Sequence, residues 1–104
     1  SRDFEGQDIV DRSIEEIRIN SLQDEEVIVR WRAELFTVIP NVKAGDSISG
    51  IRNTKGHSIF YFNESPLGVI KDEDFSREFF DIWIGKNTSD QEFTLELLGI
   101  SENN

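Results

Sequence analysis

The spacing of apolar residues changes twice along this chain, and that change limits the fold to a mixture of helices and strands. Before Pro40 the apolar residues recur every three or four positions, which predicts helices over 8–19 and 24–38. Between 47 and 70 the period shortens and β-branched and aromatic residues dominate, which is typical of strands. The helical period returns over 72–84. The chain therefore combines both kinds of secondary structure in separate blocks.

Three strands joined by tight loops are predicted in the middle of the chain. They cover about 47–53, 57–62 and 67–70. The intervening runs Asn53-Thr54-Lys55-Gly56 and Asn63-Glu64-Ser65-Pro66 consist of residues that favour turns. Short loops between consecutive strands predict an antiparallel meander.

A further short helix is predicted near the C-terminus. Ser89 and Glu92 have the spacing of a capping box, in which each side chain satisfies the other's end of a helix. The apolar residues that follow are Phe93, Leu95, Leu97 and Leu98, and Gly99 is placed to end the helix. The predicted order is α-α-β-β-β-α-α. This is an α+β fold, with a short antiparallel β-meander packed by helices in one domain, 1–104.

Charge and cysteine content exclude several functional classes. There are 21 acidic and 11 basic side chains, giving a net charge of -10. We expect no nucleic-acid partner, because nucleic acids require cationic surface. No run approaches the length of apolar sequence that spans a bilayer. The absence of Cys excludes thiol catalysis, and no signal peptide is visible after Ser1.

Several short elements after Pro40 occur in a characteristic order. They are Gly45-Asp46, Phe60-Tyr61-Phe62-Asn63, Leu67-Gly68, the run Asp74–Gly85, Thr88-Ser89 and Leu97-Leu98-Gly99. This series resembles the C-terminal half of the chalcone isomerase-like family, especially its bacterial branch. The most specific part is Phe-Phe-x-Ile-Trp-x-Gly, which ends at Gly85. The segment before Pro40 fits the two helices that precede this half.

The resemblance implies further strands before the first helix, because family members carry them. We therefore expect the chain to be the C-terminal part of a larger domain, truncated at its N-terminal side. An open sheet edge tends to find a partner, so we expect either those strands or a second copy of the chain to pair with it. The compartment stays open, because bacterial relatives are often exported to the periplasm.

The resemblance also indicates which positions would carry isomerase chemistry. Family enzymes that cyclise a chalcone use an Arg, a Tyr and a Lys from early strands, which have no counterpart in this chain. Their helix Asn falls near Glu15, and their late Thr or Ser falls at Ile82. An isoleucine cannot hydrogen-bond a substrate hydroxyl, and without the Arg an oxyanion loses its main stabilising charge. We therefore expect no catalytic residue here.

The aromatic cluster has two interpretations. It packs as core between sheet and helix, or part of it lines an apolar cleft, as in fatty-acid-binding relatives of the family. The second interpretation assigns the cleft wall to Phe60, Phe62, Phe79, Ile82 and Trp83. The function that follows is a chalcone isomerase-like domain that binds an apolar small molecule or fatty acid without isomerase activity. Two alternatives remain open, an intramolecular lyase acting on a chalcone-type enone and an acidic protein-interaction module.

No cofactor or metal is expected. His57 is the only histidine and lies in a hairpin loop. The acids Asp72-Glu73-Asp74 would suit a hard cation such as calcium, but acids at a helix start are also favoured by the helix dipole. Asn63-Glu64-Ser65 and Asn87-Thr88-Ser89 match the glycosylation pattern, and both also fit turn and cap chemistry.

Overall fold

A computed structural model describes residues 3–4, 6–43, 45–85 and 91–96. Its helices are α1 (Gly6–Asn20), α2 (Glu25–Val38) and α3 (Glu73–Ile84). Its strands are β1 (Asp3–Phe4), β2 (Val42–Lys43), β3 (Ser47–Arg52), β4 (Ser58–Phe62), β5 (Ser65–Ile70) and β6 (Glu92–Glu96). The predicted α+β class and the order of two helices, three meander strands and a helix are confirmed. None of the helices in these ranges is long and apolar enough to cross a membrane.

The main sheet has the strand order β5-β4-β3-β6, and all of its neighbours are antiparallel. The β3–β4 hairpin closes through Asn53, whose side-chain oxygen accepts from the backbone N–H groups of Lys55 at 3.0 Å and His57 at 2.9 Å. Gly56 has a φ of 81°, which glycine adopts without steric cost. The predicted hairpin between β3 and β4 is therefore confirmed, and its loop lies at the predicted residues.

The β4–β5 turn depends on the Asn63 side chain. Asn63 has a φ of 46° and Glu64 a φ of 74°, the left-handed pair that a two-residue hairpin turn requires. The Asn63 oxygen accepts from the Ser47 backbone N–H at 2.8 Å, and its NH₂ group donates to Asp46 at 3.0 Å. The side-chain amide of Asn63 therefore stabilises the turn through its hydrogen bonds. The second glycosylation match, at Asn87, lies outside the described residues.

The predicted C-terminal helix is wrong within the described residues, because Glu92–Glu96 forms strand β6. This strand pairs with β3, and the hydroxyls of Ser49 and Thr94 lie 3.0 Å apart across the pair. Five residues of alternating polar and apolar character, with a β-branched Thr94 at their centre, suit a strand once β3 offers a free edge. Ser89, which was predicted to cap this helix, and residues 97–99 lie outside the described part of the chain.

All three helices contribute to a single hydrophobic core with the main sheet. The buried residues are Val10, Ile14 and Ile17 of α1, Ile28, Trp31 and Leu35 of α2, Phe75, Phe79 and Phe80 of α3, and Ile48, Phe60 and Ile70 of the sheet. Aromatic contacts join these elements, with ring centroids 5.6 Å apart for Trp31–Phe75, 5.1 Å for Phe75–Phe79 and 5.5 Å for Phe60–Phe79. Such pairs add to the stabilisation from burial.

One carboxylate connects α2 to the start of α3. Asp72 Oδ2 accepts a hydrogen bond from Trp31 Nε1 at 2.9 Å, and Asp72 Oδ1 accepts from the Phe75 backbone N–H at 3.0 Å as an N-cap. Arg30 lies 3.6 Å from the same carboxylate. The acidic run that begins at Asp72 thus starts the helix, as the dipole argument expects.

A close backbone contact holds the start of α1 against the end of α2. The Gly6 N–H donates to Asn41 Oδ1 at 2.6 Å. A Cβ at position 6 would lie 2.8 Å from the carbonyl oxygens of Ile39 and Pro40. The short β1–β2 ladder, which sequence reasoning did not predict, lies beside this contact.

Candidate functional site

A small cavity lies between α1 and α3. Its volume is about 170 Å³, and it is lined by Arg12, Ser13, Glu16, Ile82 and Trp83. Residues 12, 13 and 16 share one side of α1 because helical residues three and four apart are neighbours. The cavity therefore has a polar wall from α1 and an apolar wall from α3.

The polar wall offers charge rather than a nucleophile. Ser13 is fully buried, and its hydroxyl donates to the Ile9 carbonyl at 2.9 Å, so it is satisfied within the helix. Arg12 and Glu16 are exposed. Within the described residues, no carboxylate lies within salt-bridge distance of Arg12. Arg12 can therefore pair with an anionic group on a ligand without first breaking an ion pair.

The structure places the five predicted cleft residues in two groups. Ile82 and Trp83 are half-buried and line the cavity. Phe79 lies behind Trp83, with ring centroids 6.2 Å apart, and Phe60 packs edge-on against Phe79 at 5.5 Å. Phe62 is partly buried against the same core. Phe60 and Phe79 are almost fully buried in the core and are not among the residues that line the cavity.

One of the two positions that the resemblance aligns with catalytic residues lies in the cavity wall. Ile82, aligned with the late hydroxyl, lines the cavity. Glu15, near which the family's helix Asn falls, is not in the lining; it is exposed and lies 3.9 Å from Arg18. The cavity therefore has an aliphatic side chain in place of that hydroxyl.

Sequence reasoning missed the α1 side of the cavity. Arg12 and Glu16 lie off the apolar stripe of an amphipathic helix, where charged residues ordinarily face solvent. Arg12 and Glu16 line a cavity only because α1 packs against α3, which is distant in the sequence. No local pattern at these residues signals that contact.

The remaining titratable residues do not assemble a metal site in the described part of the chain. His57 is half-buried in the β3–β4 hairpin. Across residues 3–4, 6–43, 45–85 and 91–96, no three His, Asp or Glu side chains are grouped so that they could hold a metal ion.

Comparison with known proteins gives one match. A family model described as chalcone isomerase-like matches residues 2–99, which is nearly the whole chain. Neither the curated proteins nor the solved structures give a match.

Proposed function

The chain belongs to the chalcone isomerase-like family, and we propose that it binds an apolar small molecule or fatty acid between α1 and α3 without isomerase activity. The observation that carries this proposal is the cavity itself. It joins an apolar wall, Ile82 and Trp83, to an exposed cation, Arg12, that has no carboxylate partner among the described residues. An amphipathic ligand with one anionic end matches that arrangement.

The cavity volume limits how much of the ligand is enclosed. A volume of about 170 Å³ is close to that of the engineered cavity of about 150 Å³ that holds a benzene ring. Sites for drug-sized ligands are larger, about 300–1,000 Å³. One ring or the end of an alkyl chain therefore fits inside. Burial of about four methylene groups would contribute about 3 kcal/mol, so we expect modest affinity.

The charges of the α1 wall select the ligand's head group. Arg12 favours a carboxylate, because guanidinium and carboxylate form short, charge-assisted hydrogen bonds. Glu16, one helical turn further on, repels a second negative charge. A monocarboxylate with an apolar tail, such as a short fatty acid, therefore suits this wall better than a dicarboxylate.

The character of position 82 supports the absence of isomerase activity. Cyclisation of an enone develops negative charge on oxygen, which donors must stabilise. Ile82 has no donor, and Ser13 already donates its hydroxyl to a backbone carbonyl. Arg12 is the cation in the cavity lining, and we assign it to the ligand's head group.

Displacement of a fluorescent fatty acid by octanoate tests the proposal. Ile82→Phe should fill the cavity and weaken binding at least about tenfold, which corresponds to about 1.4 kcal/mol. Arg12→Gln should weaken octanoate more than octanol. Ile19→Phe is the matched control, because Ile19 is on α1 with 66% of its surface exposed. Absence of displacement by octanoate up to about 10 mM would refute ligand binding.

A chalcone cyclisation assay tests the second half of the proposal. We expect flavanone formation at the spontaneous rate with the wild-type chain. If flavanone forms faster than the spontaneous rate, and Ile82→Phe removes the excess, the lyase alternative would be established instead.

One surface feature favours the acidic interaction module as a second candidate. The first turn of α2 and its cap present Asp24, Glu25 and Glu26 around an exposed Val29, and Leu22 nearby is fully exposed. A basic peptide with one apolar side chain would match this surface. Polylysine binding that weakens steeply with salt, and that Glu26→Gln reduces, would favour this candidate. Equal polylysine binding by the wild-type chain and by Glu26→Gln would exclude this surface.

A further inference from the structure

A second, larger pocket lies between the β3–β4 hairpin and α3. Its volume is about 510 Å³, within the range of small-molecule sites. Arg52, Asn53 and Lys55 line it from the hairpin side, and Glu73 and Arg77 line it from α3. Three of the chain's 11 basic side chains thus surround one pocket in a protein whose net charge is -10.

Arg52 is held in place without an acidic partner. Its backbone N–H donates to the Gln91 carbonyl at 2.7 Å, and its Nε donates to the Gln91 side chain at 2.9 Å. Its guanidinium carbon lies 5.4 Å from the centre of the Phe80 ring, a cation–π contact. Arg18 and Arg32 pair with carboxylates, whereas Arg52 has no salt bridge in the described part of the chain. Its terminal nitrogens therefore remain available to an anion.

The hairpin holds Lys55 close to α3. The Asn53 side chain fixes the Lys55 backbone by accepting its N–H at 3.0 Å. Gly56 lies against α3 so closely that an added Cβ would be 2.8 Å from Glu73 Cγ. Lys55 is exposed and, like Arg52, has no salt bridge with a described residue. Two unpaired cations and one carboxylate thus border the same space.

Arg77 completes the α3 side of the pocket. It lies one helical turn after Glu73, so both face the hairpin. Its guanidinium lies 3.0 Å from Asp74 and 3.6 Å from Glu78, which offset its charge. Arg77 therefore acts as a hydrogen-bond donor at the pocket wall, and Arg52 and Lys55 supply the net positive charge.

We propose that this pocket binds a small phosphate ester that also carries hydroxyl groups, such as a sugar phosphate. A phosphate ester carries a charge of about -1.5 to -2 at neutral pH, which the two unpaired cations match. Arginine's planar fork suits phosphate oxygens. Glu73 disfavours a simple polyanion but accepts hydrogen bonds from hydroxyls. The site is independent of the α1–α3 cavity.

Titration of the full chain with glucose 6-phosphate, followed by amide NMR shifts, tests this proposal. We expect the largest shifts at residues 52–56 and saturation below about 10 mM. Arg52→Gln and Lys55→Gln should each weaken binding about fivefold or more. Lys71→Gln should change binding less than twofold, because Lys71 is exposed and outside the pocket. The unfolding temperature of each variant establishes that it is folded.

Glucose and inorganic phosphate complete the titration. The proposal predicts weaker binding of both than of glucose 6-phosphate. Phosphate that binds as tightly as the ester would overturn the ligand class. Equal loss in Lys71→Gln, or no shift with glucose 6-phosphate up to about 10 mM, would overturn the site.

Discussion

Replacing Asp72 with alanine removes two hydrogen bonds, one that caps the start of α3 and one that joins α2 to α3. The Phe75 backbone N–H loses its N-cap, which typically costs about 1 kcal/mol. The Trp31 indole N–H loses its acceptor in a residue that is 0% exposed, which costs about 1–3 kcal/mol. The exposed Arg30 contact adds little. We expect Asp72→Ala to lower the free energy of unfolding by about 2–4 kcal/mol. That is a large share of the about 5–15 kcal/mol typical of a domain.

Two matched variants separate the hydrogen bonds from the charge. Asp72→Asn retains one oxygen acceptor of the two that are used, so we expect a loss of about 1–2 kcal/mol. Asp74→Ala removes a neighbouring acid whose side chain forms an exposed ion pair with Arg77, so we expect a loss of less than about 1 kcal/mol. Urea unfolding followed by far-UV circular dichroism measures all three, because tryptophan fluorescence would respond to the local change itself.

The order of the three losses tests the reasoning more sharply than any single value. Asp72→Ala should be the most destabilised, Asp72→Asn intermediate and Asp74→Ala least. Equal losses for Asp72→Ala and Asp74→Ala would show that only the helix dipole matters, and would refute the structural role of the Trp31–Asp72 bond.

Three further predictions concern other parts of the chain. The pKa of Asp46 is lowered mainly by the hydrogen bond from the Asn63 side chain and secondly by the hydrogen bond from the Lys43 backbone N–H. Because the folded-state pKa is below the unfolded value, this stabilisation is present above the unfolded pKa of about 3.9 and is lost as pH falls through the folded pKa. Asn63→Gly retains the positive φ but removes this hydrogen bond, so the free energy of unfolding should fall less steeply as the pH is lowered. An unchanged dependence on pH would refute the role of Asn63 in lowering the pKa of Asp46. Gly6→Ala should cost about 1–3 kcal/mol in urea unfolding through its clash with backbone oxygens, whereas Gln7→Ala should stay within about 0.5 kcal/mol. Because β6 is an edge strand of the sheet that the described residues form, we expect it to cause self-association, so light scattering that shows a monomer at micromolar concentration would contradict edge pairing.

The helices were predictable because their apolar stripes are long and one-sided. Val10, Ile14 and Ile17 of α1, and Phe75 and Phe79 of α3, recur at helical spacing and are all buried. The β3–β4 hairpin was predictable because Asn53 and Gly56 are local turn signals. In each case the information lies within a few residues of the element.

The errors arise where distant parts of the chain decide the structure. Strand β6 is too short to show its period clearly, and pairing with β3, more than 40 residues earlier, stabilises it. The Trp31–Asp72 bond joins residues 41 positions apart. The candidate site was predictable only in part for the same reason. Ile82 and Trp83 were identified from a family motif, whereas Arg12 and Glu16 belong to the site only because α1 packs against α3.

The two tryptophans provide a direct test of ligand binding between α1 and α3. Trp83 lines the cavity, whereas Trp31 is fully buried and bonded to Asp72, so their indole N–H signals report different places. Trp31→Phe and Trp83→Phe assign the two signals in a ¹⁵N-labelled chain. During titration with octanoate we predict that the Trp83 signal moves and saturates while the Trp31 signal stays in place. A Trp83 signal that remains still while octanoate binds elsewhere, or not at all, would contradict the account.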